Sequence, residues 1–557
     1  MTSQKDKFWW KKAIGYQIYP ISFFDSNDDG IGDIRGIIQK IDYIKYLGVD
    51  LIWLNPVYRS PKIDNGYDIS NFQEIDPDFG TLEDLKELIE LLHQNGIHLI
   101  MDLVINHTSD QHPWFIQALQ SKDNKYHDYY HWVDGDANHL PNDWENWSGD
   151  FEWTFVPHLK QWYFHIFNSK MPDLNWENPK LRDEIISMIK WWLEFGIDGF
   201  RLDAISHIKK MPFDNLMADV PSDKDKWSVH TNVNGFKDFL ELIKNVFSQY
   251  PIFTVGEASG VSSSLAQIWT GEQGYFNSIF ELEHNIHDET DLNGRPIGNR
   301  FQFKNIIDRW QTDTRSFGWM SPYLSNHDNP RALQTWGDNK SSKSAKALAT
   351  ILLSLQGTPF VYFGDEIGIP SFNFQSIEEI NDPEAHIKYD SLITKGENPQ
   401  DALSEIGVWN RDQGRSPMQW NSDKNAGFTK GTPYFKVNPS YKKVNVEQQI
   451  KQNDSTLNYY KKLIALRKKN SALNDGEYYG IESNDQNIFA FIRKAKDKTT
   501  LTLVNLSENQ NKFVLPEKIL NFNWHPLINN FIGNLKIEKK ISLNPWNAII
   551  LESDDYE

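Results

Sequence analysis

Four apolar stretches end in residues whose side chains could carry acid–base chemistry. The first stretch, residues 199–205, reads Gly-Phe-Arg-Leu-Asp-Ala-Ile, an alternation typical of a short buried strand. Because side chains alternate along a strand, Arg201 and Asp203 share a face, and we expect the guanidinium to lower the pKa of the carboxyl. A fixed, ionised carboxylate is a candidate nucleophile, although this pair alone is equally consistent with a structural ion pair.

Three further apolar stretches also end in titratable residues. Residues 102–107 end in Asn-His at His107, residues 254–257 end in Glu257, and residues 324–329 contain His327 and Asp328. In a parallel β/α barrel the carboxyl ends of all strands converge on one face, where active sites lie. Three carboxylates and two histidines on that face indicate the chemistry of glycoside cleavage.

The secondary-structure elements that must position these residues alternate between strands and helices along the chain. Strand patterns lie at residues 14–20, 49–55, 98–106, 199–205, 252–256, 278–282, 323–325 and 359–363. Amphipathic helix patterns lie at 37–47, 82–94, 181–195, 344–355 and 458–469. The sequence therefore predicts an α/β fold, a (β/α)8 TIM barrel built from residues 1–104 and 172–478.

Two segments do not fit the alternation of strands and helices expected for the barrel. Residues 107–171 are rich in Trp, Asn, Asp, Gly and His and are too long for a simple loop, so we predict an inserted small domain after strand three at 105–171. Short strand patterns at 488–493, 499–506, 512–515 and 548–552 are separated by turn residues. They predict a C-terminal antiparallel β-sandwich domain at 479–557.

The composition narrows the possible partners and the compartment. The 557 residues carry a net charge of −19, which argues against nucleic acid and anionic membranes as partners. The chain contains no cysteine, which excludes disulfides and thiolate metal sites. Residues 1–12 contain no apolar signal-peptide core, and no stretch is apolar enough to span a bilayer. We therefore expect a cytoplasmic protein whose substrate is small enough to be imported. With the glycoside chemistry indicated above, the expected substrate is a small oligosaccharide or disaccharide, and we expect a monomer or weak homo-oligomer.

The four stretches resemble the signature regions of the α-amylase family, glycoside hydrolase family 13, and most closely its oligo-1,6-glucosidase and α-glucosidase branch. The resemblance implies Asp203 as nucleophile, Glu257 as general acid/base and Asp328 as stabiliser of the transition state. It implies sugar-binding roles for Asp64, Tyr67, His107, Phe167, Arg201, His327 and Arg411. No organic cofactor is expected.

The segment 64–68, Asp-Asn-Gly-Tyr-Asp, concerns whether a sugar chain is cleaved at its end or in its interior. A turn of this composition needs no function. In the exo-acting branch that the chain resembles, however, the first Asp and a much later Arg grip the 4-hydroxyl of the terminal glucose, while the Tyr stacks on its ring. The corresponding residues here are Asp64, Arg411 and Tyr67.

The acidic loop 25–33 is a candidate metal site. Oxygen-bearing residues recur at its first, third, fifth and ninth positions with glycine at the sixth, as in the front of a calcium loop, although Gly36 replaces the glutamate of an EF-hand. A plain acidic turn is the alternative. Similar loops in the resembling branch bind one structural Ca2+, which implies the ligands Asp25, Asn27, Asp29, the carbonyl of Ile31 and Asp33.

Linkage preference depends on two positions. In the resembling branch, valine directly after the nucleophile goes with α-1,6 cleavage and alanine or threonine with α-1,4, so Ala204 favours maltose-type substrates. Met171 departs from the glutamine usual in oligo-1,6-glucosidases and resembles relatives of mixed specificity. The alternatives are an oligo-1,6-glucosidase, then a glucosyltransferase or sucrose isomerase, or a phosphotrehalose hydrolase, on the same scaffold. Intact Asp203, Glu257 and Asp328 argue against an inactive relative that only binds sugar.

Overall fold

The computed structural model describes residues 8–554 except 147–149, 214–228, 272, 286–288, 291–295, 484 and 532–535. Residues 1–7, part of the segment on which the absence of a signal peptide was judged, lie outside the described residues. Among the described residues, no helix combines the length and apolar character needed to cross a membrane.

Seven parallel strands of three to seven residues form the barrel wall, and all their residues are buried except His98 and Glu257, which are half-buried. In chain order they are Gly15–Ile18 (β1), Leu51–Leu54 (β2), His98–Val104 (β3), Gly199–Asp203 (β4), Phe253–Glu257 (β5), Ser278–Phe280 (β6) and Phe360–Tyr362 (β7). They are hydrogen-bonded in the order β6-β5-β4-β3-β2-β1-β7. Their bounds fall within one or two residues of the predicted ones at most ends.

Residues 320–322 fill the gap between β6 and β7 and close the barrel. Ser321 N donates to Ile279 O at 3.0 Å on one side, and Phe360 N donates to Pro322 O at 2.8 Å on the other. The predicted strand at 323–325 is therefore wrong in position, since the pairing lies three residues earlier. Pro322 has no N–H to donate, which keeps this segment from forming a regular ladder.

Helices surround the barrel, and their ends follow local sequence signals. Thr81 caps the helix Leu82–Gln94 in a reciprocal capping box with Asp84, and Gly196, at φ 118°, ends the helix Pro179–Phe195. The predicted helix 37–47 is two helices that meet at Lys40. The helices around the barrel include Ile34–Gln39, Ile41–Leu47, Leu82–Gln94, Pro179–Phe195, Phe236–Phe247, Arg300–Thr314, Ser342–Ser354 and Thr456–Lys469.

Two excursions interrupt the barrel. Between β3 and β4 an antiparallel sheet of Trp132–Asp134, Gln161–Phe164 and Trp153–Val156 packs on a small core that includes Trp144, Trp153 and Phe164. After β7 the helices Pro383–Thr394 and Pro399–Trp409 pack on each other around a separate core that includes Phe374, Leu392 and Ile406. Both excursions begin beyond the carboxyl end of a barrel strand.

The C-terminal part is a two-sheet antiparallel structure. Five strands pair in the order Glu477–Gly480, Ile488–Lys494, Thr499–Asn505, Ala548–Ser553 and His525–Asn529. Asn511–Val514 and Lys540–Leu543 form a second sheet, and residues of both sheets, among them Leu501, Phe513 and Ile541, share one core. The predicted fold class is thus confirmed, while the domain boundaries stay a prediction.

Candidate active site

Arg201 is the centre of the candidate site. It lies on β4 with 2% of its surface exposed, paired in register with Asp102 of the neighbouring strand β3. Its Nη1 donates to Asp203 Oδ1 at 2.5 Å and to Asp102 Oδ1 at 2.6 Å. Its Nη2 lies 3.0 Å from Glu257 Oε1 at the end of β5. The candidate nucleophile and acid/base are therefore held by the two terminal nitrogens of one planar group.

Three carboxylates around one guanidinium cannot all be balanced by its charge. Burial raises the pKa of Asp203 well above its usual value, and Arg201 opposes that rise. Burial likewise raises the pKa of Asp102 to about 6. The prediction that Arg201 lowers the pKa of Asp203 describes the contribution of Arg201 correctly, but burial outweighs it. Burial of Asp203 and Asp102 therefore opposes their ionisation, while the charge of Arg201 favours it.

Asp328 occupies a more open position, held by cations and by its neighbour. Arg415 Nη2 donates to Asp328 Oδ1 at 3.0 Å, and His327 Nε2 lies 3.0 Å from Asp328 Oδ2. Desolvation opposes ionisation, but His327, Arg415 and Arg411 outweigh it and lower the pKa of Asp328 to about 2. Asp328 is thus a permanent negative charge at neutral pH, suited to a site where positive charge develops.

The predicted pair Asp64 and Arg411 is brought together from opposite ends of the barrel sequence. Arg411 Nη1 lies 3.4 Å from Asp64 Oδ1. Tyr67 stacks on the His327 ring with centroids 5.1 Å apart and an angle of 7° between the planes. His327 therefore covers one face of the Tyr67 ring. The structure places all three residues at the same end of the barrel as Arg201.

His107 is buried beneath this end of the barrel. Phe167, from the end of the inserted segment, meets the His107 ring edge-on with centroids 5.2 Å apart. Nε2 of His107 lies 3.3 Å from the carbonyl oxygen of Tyr67, and burial lowers the pKa of His107 to about 4. The imidazole is therefore neutral at neutral pH and can offer one N–H.

Three residues of the site were not singled out from the sequence. Asp102 is a lone acid in an apolar strand, a signal that could have revealed it as the partner of Arg201. Arg415 lies four residues after Arg411 and holds Asp328. Asp382 binds Arg411 through Nε at 3.0 Å and Nη2 at 2.8 Å, and it lies on the helical excursion, where no local pattern marks it.

The loop 25–33 supplies the oxygen donors that Ca2+ prefers. Asp25 Oδ1 accepts from the N–H groups of Asn27 at 3.0 Å and Asp28 at 2.8 Å, and Asp33 caps the next helix by accepting from Gly36 N at 2.6 Å. Asp25 and Asp33 are both buried, and burial together with the charge of Asp25 raises the pKa of Asp33. A buried pair of like charges fits a cation, with Asn27, Asp29 and the Ile31 carbonyl completing the predicted set.

A different trio has the closer spacing. In the described part of the chain, one group of three His, Asp or Glu side chains has ligand atoms within 4.8 Å of one another. It consists of His93, His98 and Asp198. His93 Nε2 lies 2.6 Å from one oxygen of Asp198, and His98 Nδ1 lies 2.9 Å from the other. These are hydrogen-bond distances at the amino end of β3 and β4, opposite the candidate site. We read the trio as a link between two strand starts.

Comparison with known proteins identifies the family. The model of the alpha amylase catalytic domain matches residues 17–476, which include every site residue described above. The chain belongs to the α-amylase family. Known members of this family with similar sequences are glycosidases, and this chain is a glycoside hydrolase. The chemical roles of the individual site residues stay predictions.

Full-length relatives in the α-amylase family carry several names. The oligo-1,6-glucosidase of Parageobacillus thermoglucosidasius is 43% identical over 98% of this chain and 98% of its own. The α-glucosidase of Pediococcus pentosaceus is 40% identical over 86% of this chain and 88% of its own. Both align along most of their length, so the relationship extends beyond the barrel.

Solved structures add two further activities. A trehalose-6-phosphate hydrolase variant from Bacillus licheniformis superposes with a TM-score of 0.92 at 38% identity, covering 98% of this chain and 100% of that one. An isomaltulose synthase variant from Erwinia rhapontici, in complex with sucrose, superposes with a TM-score of 0.92 at 35% identity, covering 98% and 99%. The same scaffold therefore carries several substrate specificities among these relatives.

Proposed function

We propose that the chain is a retaining, exo-acting α-glucosidase that releases glucose from the non-reducing end of short α-glucosides. The observation that carries this proposal is the binding of Asp203 and Glu257 by the two terminal nitrogens of Arg201. Carboxylates held this way lie side by side on neighbouring strand ends. Retaining glycosidases need that arrangement, with carboxyl groups ~5–5.5 Å apart.

The reaction divides into two displacements. Glu257 gives its proton to the glycosidic oxygen while an oxygen of Asp203 attacks the anomeric carbon, so the bond to the leaving sugar breaks as a glucosyl ester forms. Glu257 then removes a proton from water, which attacks the same carbon and frees Asp203. Asp328, ionised at neutral pH, stabilises the positive charge that develops on the ring.

The exo specificity rests on Asp64 and Arg411. We infer that their contact, with Arg411 also bound to the buried Asp382, closes the site beside Tyr67 and Asp328. A glucose whose 4-hydroxyl met this pair would then leave no room for another sugar beyond it. We expect glucose as the sole early product from maltooligosaccharides and very slow attack on starch, measured by chromatography of initial products. Early appearance of maltose or longer fragments from starch contradicts the exo assignment.

For linkage we propose that α-1,4 bonds are favoured, because Ala204 follows the nucleophile. Ala204 is 4% exposed, and its backbone N–H donates to Glu257 Oε2, so the residue lies next to the proposed acid/base. An α-1,6 preference is the second candidate. It is favoured by the names of several relatives, including the oligo-1,6-glucosidases of Parageobacillus thermoglucosidasius and Bacillus cereus.

We expect Ala204→Val to raise the isomaltose-to-maltose ratio of kcat/KM. A change of one or two methyl groups beside a substrate alters discrimination by ~1–3 kcal/mol, or about 10- to 200-fold. Ala204 has φ 45°, a left-handed conformation that a β-branched residue adopts poorly, so the melting temperature should fall as well. Ala204→Ser serves as the control for a small, unbranched side chain. Strong isomaltose preference in the wild type, or an unchanged ratio in the variant, excludes Ala204 as the determinant.

Calcium at the loop 25–33 is part of the proposal. Asp25, Asn27, Asp29, the Ile31 carbonyl and Asp33 would hold the ion, and it would neutralise buried carboxylates far along the chain from the catalytic residues. We expect chelation to lower the melting temperature and added Ca2+ to restore it, because a ligand of the native state stabilises by mass action. Asp29→Asn should weaken the response. Unchanged melting with EDTA, together with metal analysis that finds no ion, leaves the loop a simple turn.

Two rival activities on this scaffold differ in the acceptor or substrate. A glucosyltransferase or sucrose isomerase would pass the glucosyl group to sugar in place of water, so transfer products would accumulate from sucrose or maltose. A phosphotrehalose hydrolase would cleave phosphorylated trehalose faster than trehalose. One panel of maltose, isomaltose, sucrose, trehalose and phosphorylated trehalose separates these cases. A small imported sugar fits the cytoplasmic location that we propose.

A further inference from the structure

A buried lysine lies directly behind the candidate active site. Lys210 follows the short helical turn Ile205–His207 after β4, and its side chain is 2% exposed. Its ammonium contacts Asp173 Oδ2 at 2.6 Å, Asn106 Oδ1 at 2.7 Å and the carbonyl oxygen of His207 at 2.6 Å. An ammonium has three N–H groups, so these contacts use all of them. Burying a cation is costly, and the exo-glucosidase mechanism above gives Lys210 no role.

The contact with Asn106 determines which way its amide group points. An ammonium can only donate hydrogen bonds, so the atom of Asn106 that faces it is the oxygen. The amide nitrogen then faces the other way, 3.2 Å from Nδ1 of His107 and 3.3 Å from Asp173 Oδ2. The orientation of an Asn amide is normally ambiguous, but here a neighbouring cation resolves it.

The amide of Asn106 in turn determines the tautomer of His107. The amide nitrogen donates, so Nδ1 of His107 must accept, and the single proton of the neutral ring lies on Nε2. That N–H faces the carbonyl oxygen of Tyr67 at 3.3 Å, on the side of the sugar-binding residues. His327 shows the same arrangement, since the amide of Gln17 lies 3.0 Å from its Nδ1.

We propose that Lys210 is a positioning residue that, through Asn106, keeps the proton of His107 on Nε2, where the N–H is shared between the carbonyl oxygen of Tyr67 and a hydroxyl of the bound glucose. The part concerning glucose rests on the proposed function. Without Lys210, no ammonium fixes the side on which the oxygen of Asn106 lies, so the amide can turn over. Its oxygen would then accept from His107 and draw the proton of the ring to Nδ1.

The first test measures the tautomer and needs no activity. Two-dimensional proton–nitrogen NMR of histidine rings separates the two neutral tautomers, and the variant His107→Asn assigns the His107 signal by its loss. We expect Nε2–H in the wild type and a shift toward Nδ1–H in Lys210→Met. Asn106→Asp is the second variant, because a carboxylate cannot donate to Nδ1 and should cause the same shift if Lys210→Met fails to fold. A tautomer unchanged in both variants overturns the inference.

The second test asks whether the donor reaches substrate. We expect kcat/KM for 4-nitrophenyl α-glucoside to fall about 10²-fold in Lys210→Met, as for other misplaced binding groups. Among monodeoxy analogues of the glucoside, the wild type should show an extra loss of kcat/KM for the one that lacks the hydroxyl bound by His107. This extra loss should disappear in both Lys210→Met and His107→Asn. A merely structural lysine lowers the rate for all analogues by the same factor.

Lys346 provides a matched control. Its side chain is also 2% exposed, and its ammonium binds the carbonyl and carboxylate oxygens of Asp454, away from the site. Lys346→Met should lose stability without changing the analogue pattern, and a changed pattern there contradicts a specific role for Lys210. If the tautomer shifts as expected but the wild type cleaves no α-glucoside, the proposed function fails while the role of Lys210 in setting the tautomer stands.

Discussion

Asp203→Asn is expected to lower kcat/KM for α-glucosides by a factor of at least about 10⁴ without lowering the melting temperature. Catalytic groups that act together give losses of this size when one is removed, because the remaining groups cannot complete the reaction. Stability should hold or rise, since the substitution removes the charge of one of three carboxylates that share the charge of Arg201. Initial rates with 4-nitrophenyl α-glucoside and a thermal melt check both parts.

A second variant separates a nucleophile from a residue that only shapes the site. Asp203→Gly leaves space beside the anomeric carbon, so added azide should restore cleavage of an activated glucoside and give a glucosyl azide of inverted configuration. Asp198→Asn is the control, because Asp198 is buried just before the other end of β4 and contacts His93 and His98. It should cost stability and leave the chemistry intact. A tenth of the wild-type rate in Asp203→Asn removes Asp203 from the nucleophile role.

The parts of the site that could be predicted are those with a local sequence signal. Asp203 is the last residue of β4 and Glu257 the last of β5, and both stretches show an apolar run that ends in a carboxylate. Parallel strands then bring such ends together whatever the loops between them do. The pairing of Asp64 with Arg411 had no such signal, and only the family resemblance linked two residues so far apart in the chain.

The parts that could not be predicted depend on three-dimensional neighbours. Asp382 lies 29 residues before Arg411, in a helical excursion whose packing decides that the two meet. The raised pKa of Asp203 follows from burial and from the charges of Asp102 and Glu257 on adjacent strands. The Arg–Asp spacing on one strand does not reveal these neighbours. The segment 320–322 closes the barrel without a regular ladder of hydrogen bonds. Such a short, irregular segment has no clear alternation of apolar and polar residues, so the sequence did not locate it.

Arg201→Met is expected to abolish activity and to destabilise the fold in a pH-dependent way. In the wild type this guanidinium contacts Asp102, Asp203 and Glu257, and removing one partner of a buried ion pair costs about 3–5 kcal/mol. Activity should be lost because Asp203 and Glu257 repel each other and no longer share a fixed partner. Denaturant unfolding of wild type and variant across pH measures the stability difference.

The sign of the pH dependence follows from the carboxyl groups. The pKa of Asp102 in the folded protein is already about 6, above the usual value of an unfolded chain, so its ionisation weakens the fold as pH rises. Loss of Arg201 raises the folded pKa further. The stability difference between wild type and Arg201→Met should therefore be small near pH 4, grow as pH rises through about 6, and level off above the new pKa.

Arg493→Met is the matched control, because Arg493 is equally buried but binds the carbonyl oxygens of Gly476 and Ser354. It should lose stability by an amount that changes little over this range, and an equally flat difference for Arg201→Met would mean that Arg201 does not hold these carboxylates ionised.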